Sequence, residues 1–168
     1  TVELGTDALK RLELADGVIT LDGEVFGGTV IYTGQVDELF GFRFGPLPYR
    51  TLDFKFEIHR RMDRDNETEY FYQSHGTVNY TVDEDFTRIT EFKYLTGQET
   101  HWETAIMKEY SRAYTGAEGE TPYYAIISPE SNTLYAKYAD LSAQYPNLYL
   151  LGRLAEYKYY NMDAIAAR

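Results

Sequence analysis

The residues in this chain best able to do chemistry are arginines set beside tyrosines. Arg88 lies in FTRITEFKYL, the triplet PYY ends at Tyr124, and the closing stretch GRLAEYKYYNMDAIAAR brings together Arg153, Tyr157, Lys158, Tyr159, Tyr160 and Asn161. A guanidinium offers a planar fork to phosphate oxygens. A phenol adds a neutral donor that orients a diphosphate without adding charge. Each arginine taken alone also has a plainer reading, a surface ion pair in an acidic protein. Glu109, in KEYSR, reads equally as a solvent-facing carboxylate.

Other chemistries lack their residues. Among 13 glycines there is no G-x-G-x-x-G and no G-x-x-x-x-G-K-[ST], so the chain carries no standard phosphate loop of its own. His59, His75 and His101 are scattered without ligand spacing, and no metal is expected. No G-x-S-x-G is present to suggest a serine nucleophile.

The elements that position these side chains must come from 168 residues, 43% of them hydrophobic, enough for one core or one core plus a lesser lobe. The net charge of −11 repels nucleic acid and anionic membrane, so neither is an expected partner. The chain has no cysteine, which fits a cytoplasmic protein, although secreted domains can lack it too. No apolar run approaches the roughly 18 residues of a membrane helix, and the opening TVELGTDALKRLELADG has no signal-peptide pattern. The sequence begins without Met, as a processed form or an excised piece would.

From Leu12 to Val25, LELADGVITLDGEV predicts short strands joined at two Asp-Gly turns, and TVIYTG predicts a brief strand ended by Gly34. QVDELFGFRFGPLPYR reads as a connection punctuated by glycine and proline. TLDFKFEIHR alternates strictly, with Leu52, Phe54, Phe56 and Ile58 on one face and charged residues on a wet one. After the charged connection RMDRDNETE, three more strands are expected in YQSHGTVNYTV, TRITEFKYL and ETAIMKEYSRAY, giving four successive antiparallel strands. Arg88, Thr90, Phe92 and Tyr94 would share one face, and Ala105, Met107 and Glu109 another. Leu134, Tyr138, Leu141 and Tyr145 recur at helical spacing in a helix capped by Ser128, begun by Pro129 and ended by Pro146. NLYLLG predicts a strand, and Asn161 a cap for the last helix, with Asp163 in its first turn.

Read in order, VIYTGQVDELFGFRFGPLPYRTLDF, VNYT, FTRITEFKYL, KEYSRA, PYYAI and the run from LYAKYADL through GRLAEYKYYNMDAIAA resemble the C-terminal part of bacterial UDP-galactopyranose mutases. The likeness runs from about Val30 to the end, and residues 1–29 are vaguer. It implies a flavoenzyme interconverting UDP-galactopyranose and UDP-galactofuranose for cell-surface polysaccharide, with reduced FAD as cofactor and UDP-galactose as substrate. The fold it implies is α+β: an antiparallel sheet domain with packed helices, plus strands and a terminal helix from an incomplete FAD-binding Rossmann-like domain. Residues 1–34 would be flavin-domain strands, 35–147 the sheet domain with its helix, and 148–168 the return strand and the helix facing the flavin.

Matched by motif, Arg88, Tyr124 and Tyr159 would bind the substrate diphosphate, and Glu109 would be the active-site carboxylate. Arg153 would lie near both flavin and substrate, with Asn161 and Met162 at the flavin. Asn161 departs from the Asp that members usually carry there, Phe92 from a His, and Ala125 from a Pro. The glycine-rich flavin fingerprint, helical substrate lobe and mobile lid that normally precede this region have no match in the sequence. The resemblance therefore implies a C-terminal piece of a homodimeric enzyme, inactive alone. The competing expectation is a non-catalytic module that binds a nucleotide sugar or another protein.

Overall fold

A computed structural model describes residues 1–63, 65 and 67–168. After a 3-10 turn at Ala8–Lys10, the elements in chain order are strands β1 (Leu12–Ala15), β2 (Val18–Leu21), β3 (Glu24–Val25) and β4 (Val30–Tyr32), helix α1 (Val36–Leu39), strands β5 (Tyr49–Arg60), β6 (Thr77–Asn79) and β7 (Arg88–Glu91), helix α2 (Lys93–Thr96), strands β8 (Glu103–Ala113) and β9 (Tyr124–Ala125), helix α3 (Pro129–Ser142), strand β10 (Leu148–Leu150) and helix α4 (Met162–Ala166). The fold is mixed α/β, with antiparallel pairing predominant and few helices. Two compact units divide the chain: Thr1–Arg50 with Pro122–Arg168, and Thr51–Thr121.

In the first unit, β1, β2 and β3 form an antiparallel meander. Its two turns are the predicted Asp-Gly pairs: Asp16 and Gly17 have φ of 50° and 77°, Asp22 and Gly23 of 55° and 81°. Such paired left-handed residues match the twist of the strands they join. Leu12 and Leu14 face Leu21 and Ile19 across the pair, and Ile19 joins Leu39, Tyr145 and Leu148 in the core of this unit. Strand β10 runs parallel to β4, with Leu148 opposite Val30 and Leu150 opposite Tyr32. Helix α3 has the predicted start: Ser128 Oγ accepts the Ser131 N–H at 3.1 Å, and Ser131 Oγ accepts the Ser128 N–H at 2.8 Å. This reciprocal cap satisfies two backbone donors that have no partner inside the helix. The helix stops at Ser142, before Pro146, and Tyr145 packs from the turn beyond it.

The segment read as a plain connection between β4 and β5 is built around a buried carboxylate. Helix α1 carries Asp37, whose Oδ2 accepts the Leu47 N–H at 2.7 Å and whose Oδ1 lies 3.4 Å from the Tyr49 hydroxyl. This holds the Gly41–Pro48 turn and the start of β5, where Tyr49 and Arg50 pair with Ala125 and Tyr124.

In the second unit the strand order is β6-β7-β8-β5, so β5 lies beside β8 and the order along the chain is not the order in space. The predicted strand over TRITEFKYL ends at Glu91. Lys93–Thr96 form one helical turn closed by Gly97 at φ 66°, and Phe92 and Tyr94 therefore lie beyond the strand that carries Arg88 and Thr90. The reason is a pair of buried charges. Glu91 accepts the N–H groups of Tyr72 and Gln73 and the hydroxyl of Thr104 at 2.9, 3.0 and 2.7 Å. Lys93 Nζ donates to the carbonyls of Tyr70 and Thr100 and meets Glu69 at 3.6 Å. These bonds draw residues 69–76 onto the sheet as an irregular layer, which leaves only Thr77–Asn79 of YQSHGTVNYTV as strand. In the charged connection, positions 64 and 66 lie outside the described residues.

The alternation of β5 is present, but its two faces are used in the opposite sense to a simple amphipathic strand. Glu57 pairs with Lys108 at 3.0 Å, Asp53 with Arg112 at 2.7 Å, and Lys55 Nζ stands 4.2 Å from the Tyr110 ring centroid. That side of the sheet also carries Ile89, Ile106 and the rest of the unit's core. Phe54, Phe56 and Ile58 consequently point away from the core, with Phe56 69% and Ile58 62% exposed.

Candidate functional site

Two groups of side chains stand out, one in each unit. In the second, antiparallel register sets Asn79 opposite Arg88 and Arg88 opposite Glu109, a single row across β6, β7 and β8. Arg88 Nη1 lies 3.6 Å from Glu109 Oε1, and Arg88 Nε donates to Asn79 Oδ1 at 2.9 Å. The Arg88 side chain is 39% exposed and that of Glu109 10%. The guanidinium thus keeps an edge toward solvent while the carboxylate beneath it is nearly covered. Side-chain alternation puts Phe54, Phe56 and Ile58 on the same side of the sheet as Glu109, and Phe56 stacks on Phe92 with ring centroids 6.1 Å apart. Chemically, this is a cation with open coordination, a carboxylate that compensates it, and an aromatic shelf.

In the first unit, Arg153 stands between two phenol rings, its guanidinium carbon 5.7 Å from the Tyr124 centroid and 4.6 Å from that of Tyr159. Its Nε donates to the Tyr160 carbonyl at 2.8 Å, which turns the remaining donors toward the rings and the space they border. Arg153 also lines a hollow of about 470 Å³ with Thr33, Pro122, Tyr123, Leu151 and Ile165. Gly152, at φ 101°, turns the chain into this site, a conformation that an L side chain rarely adopts.

The closing stretch is held by two residues to which the sequence assigned no individual role. Tyr157, nearly buried and itself at φ 48°, donates to the Pro48 carbonyl at 2.6 Å and lies 2.9 Å from that of Ile126. Burial pushes its phenol pKa up, so the hydroxyl remains a donor. Glu156 accepts from the Gly152 N–H, the Tyr160 hydroxyl and Arg168 Nε at 3.0, 2.9 and 3.1 Å. Burial alone would raise its pKa, but these donors together hold it below the ordinary carboxylate value. Asn161 occupies the N-cap position of α4, yet its side chain makes no capping bond there; its Oδ1 accepts the Tyr159 hydroxyl at 2.9 Å instead. Met162 follows it, largely open to solvent.

Of the residues singled out from sequence, Arg88 and Glu109 are brought together in one unit, and Tyr124, Arg153, Tyr159 and Asn161 in the other. Asn79 was missed, and Tyr157 was named in the closing stretch without its anchoring role. Asn79 had a signal in the VNYT segment, whereas nothing local distinguishes Tyr157 from its neighbouring tyrosines.

In this mixed α/β fold, one unit presents an arginine compensated by a carboxylate and the other an arginine framed by phenols, residue types that can bind a polar anion. The profile of the UDP-galactopyranose mutase family matches residues 1–159. The chain belongs to that family. It is 37% identical over 140 residues to a probable UDP-galactopyranose mutase of Klebsiella pneumoniae, covering 82% of this chain and 33% of that protein. It is 35% identical over 138 residues to the dTDP-fucopyranose mutase of Escherichia coli, covering 81% and 34%. With the UDP-galactopyranose mutase of Mycoplasma pneumoniae it shares 34% over 145 residues, covering 83% and 34%. The chain spans about a third of the length of these relatives. The profile match takes in the vaguer residues 1–29 and stops before Tyr160, so Asn161 and Met162 lie beyond it. Among the described residues, no helix is long and apolar enough to cross a membrane.

Proposed function

We propose that this chain is the C-terminal part of a flavin-dependent mutase that interconverts the pyranose and furanose forms of UDP-galactose for cell-surface polysaccharide, and that it is inactive without the remainder of the enzyme. The observation that carries the proposal is the cross-strand pair of Arg88 and Glu109, on the motifs TRITE and KEYSR, in a chain of this family. In this reading Arg88 takes the diphosphate through its open edge. Tyr124 and Tyr159 are diphosphate donors in their own unit, and Glu109 balances charge at the reacting sugar. Residues 1–34 and 148–168 belong to the flavin domain, a reading supported by the parallel pairing of β4 with β10, and residues 35–147 form the sheet domain. The complete enzyme is a cytoplasmic homodimer.

The hollow beside Arg153 fits one edge of a flavin ring, with Pro122, Leu151 and Ile165 as apolar walls and the guanidinium as a single cation facing electron-rich atoms. Asn161 and Met162 would border the same edge. Reduced FAD, when bound, would supply the nucleophile that displaces UDP from the anomeric carbon. The chain's own part is to hold the diphosphate, keep a guanidinium near the developing charge and orient the sugar.

A relative named for dTDP-fucopyranose gives a second reading of the substrate, a dTDP-6-deoxy sugar, within the same chemistry. One experiment tests both. The complete gene product, reduced with dithionite, is incubated separately with UDP-galactopyranose and dTDP-fucopyranose, and the products are separated by chromatography. Ring contraction of the UDP sugar is expected. Contraction of the dTDP sugar alone selects the second substrate, and binding without conversion of either overturns the mutase reading.

A further inference from the structure

We infer that Asn79 is a positioning residue for the diphosphate site, setting the direction in which Arg88 presents its guanidinium; the inference rests on the reading of Arg88 as a diphosphate ligand. Asn79 and Arg88 are register partners on β6 and β7. The contact is made through Nε, the nitrogen nearest the chain, at 2.9 Å. Fixing Nε fixes the plane of the whole group, because the guanidinium is rigid and its five donors lie in one fork. Glu109 does not do this alone: its oxygen is 3.6 Å from Nη1, a looser contact that attracts the charge without setting its orientation. With Asn79 on one flank and Glu109 on the other, the Nη2 side is left for an incoming ligand.

The choice of an amide is itself informative. An aspartate at this position would accept the same bond, but it would add a second negative charge to an arginine already facing Glu109 and would compete with an anionic ligand. An apolar residue would leave Nε to water and the long side chain to its many rotamers, a freedom the ligand would have to remove on binding. Asn79 orients without neutralising.

Residues 69–76 connect this orientation to the buried part of the unit. Glu91 and Lys93 tie that segment to the sheet, and it leads directly into β6. The side-chain amide of Gln73 also reaches the Ile89 carbonyl, at 3.3 Å. The strand that carries Asn79 is thus anchored from below by groups that never meet the ligand.

The test is a double-mutant cycle in the complete flavoprotein, with UDP affinity measured by calorimetry for the wild type, Asn79→Ala, Arg88→Ala and the double variant. Asn79→Ser, whose hydroxyl is too short to reach Nε, repeats the measurement with a polar residue retained. Flavin content and thermal midpoint are followed throughout as a check on folding. We expect Asn79→Ala and Asn79→Ser to weaken UDP binding about three- to tenfold, the range for the net loss of one ordinary hydrogen bond, because Asn79 acts on the ligand only through Arg88. Arg88→Ala should weaken it more, and the double variant should bind no worse than Arg88→Ala, because the two residues act through one contact. If the losses multiply, or if Asn79→Ala and Asn79→Ser bind UDP as the wild type does while Arg88→Ala does not, Asn79 has no orienting role and Arg88 keeps its assignment. If Arg88→Ala itself leaves UDP affinity unchanged, the reading of Arg88 fails and the inference falls with it.

Discussion

The Tyr157 hydroxyl lies 2.6 Å from the Pro48 carbonyl, a bond spanning 109 positions that ties the closing stretch to the start of β5. The same oxygen is 2.9 Å from Ile126, just beyond β9, and the ring meets Tyr49 edge-on at 5.3 Å. Tyr157 therefore fixes the loop between Arg153 and Tyr159 from its buried side. Tyr157→Phe keeps the ring and removes the donor, leaving two carbonyls to share fewer partners. The expected cost is about 1–2 kcal/mol, read as a lower urea midpoint at unchanged slope. A variant as stable as the wild type would remove the bond from any account of how this loop is held.

Arg88 and Glu109 yield opposite kinetic expectations when separated. On the proposed reading, Arg88→Ala in the complete enzyme removes a charge-assisted ligand of the diphosphate, and kcat/KM should fall by about 2–3 kcal/mol in barrier terms. Glu109→Gln leaves the guanidinium without its compensating charge, so UDP should bind at least as tightly while turnover drops. Steady-state kinetics with a parallel UDP titration separates the two, and a Glu109→Gln enzyme with normal turnover would take the carboxylate out of the chemistry.

The parts of this fold written in local residue pattern could be read from the sequence, and the parts that depend on distant partners could not. Asp16-Gly17 and Asp22-Gly23 announced their turns because few other pairs accept two successive positive φ values. Ser128 and Pro129 announced the start of α3 for similarly local reasons. The alternation of β5 was legible, but which face is covered depends on β8 and on where Ile89 and Ile106 lie, and neither fact is encoded near β5. Glu91 and Lys93 carry no local mark of their role. Charged residues read as solvated by default, and only distant backbone groups reveal them as buried anchors that end a strand. In the candidate site, residue types in motifs located Arg88, Glu109 and Arg153, while the groups that orient them emerge only from register and burial.

Glu91 gives a sharp stability expectation. Its carboxylate is fully buried and serves three donors from two other segments. Glu91→Ala strands the Tyr72 and Gln73 N–H groups and the Thr104 hydroxyl, and also leaves a cavity; a loss of about 3–5 kcal/mol is expected. Glu91→Gln keeps one acceptor oxygen but turns a donor toward groups that also donate, so it should fall between the two. Hydrogen exchange should rise first in residues 70–76, ahead of β8. Uniform loss of protection across the second unit would contradict a local anchoring role.

Two carboxylates in the first unit should respond to acid in opposite directions. Burial raises the pKa of Asp37, more than the Leu47 N–H, the neighbouring backbone N–H groups and the Tyr49 hydroxyl lower it. Its folded value therefore lies above its unfolded one, and the native state binds the proton more tightly. Asp37 thus weakens the fold at neutral pH, and that cost is relieved as pH falls through its raised value. Glu156 is the reverse. Burial pushes it up, but the Gly152 N–H, Tyr160 and Arg168 outweigh that effect and hold it below its ordinary value. Its stabilisation is complete above the unfolded value and is lost as pH falls through the depressed folded one. Glu156→Gln should therefore be less stable than the wild type at pH 7, with the gap closing in acid. Asp37→Asn should remove a component of stability that grows on mild acidification. Urea unfolding of each variant between pH 7 and pH 3 provides the comparison, and parallel pH profiles for wild type and both variants would mean that neither carboxylate is linked to folding in the sense its surroundings dictate.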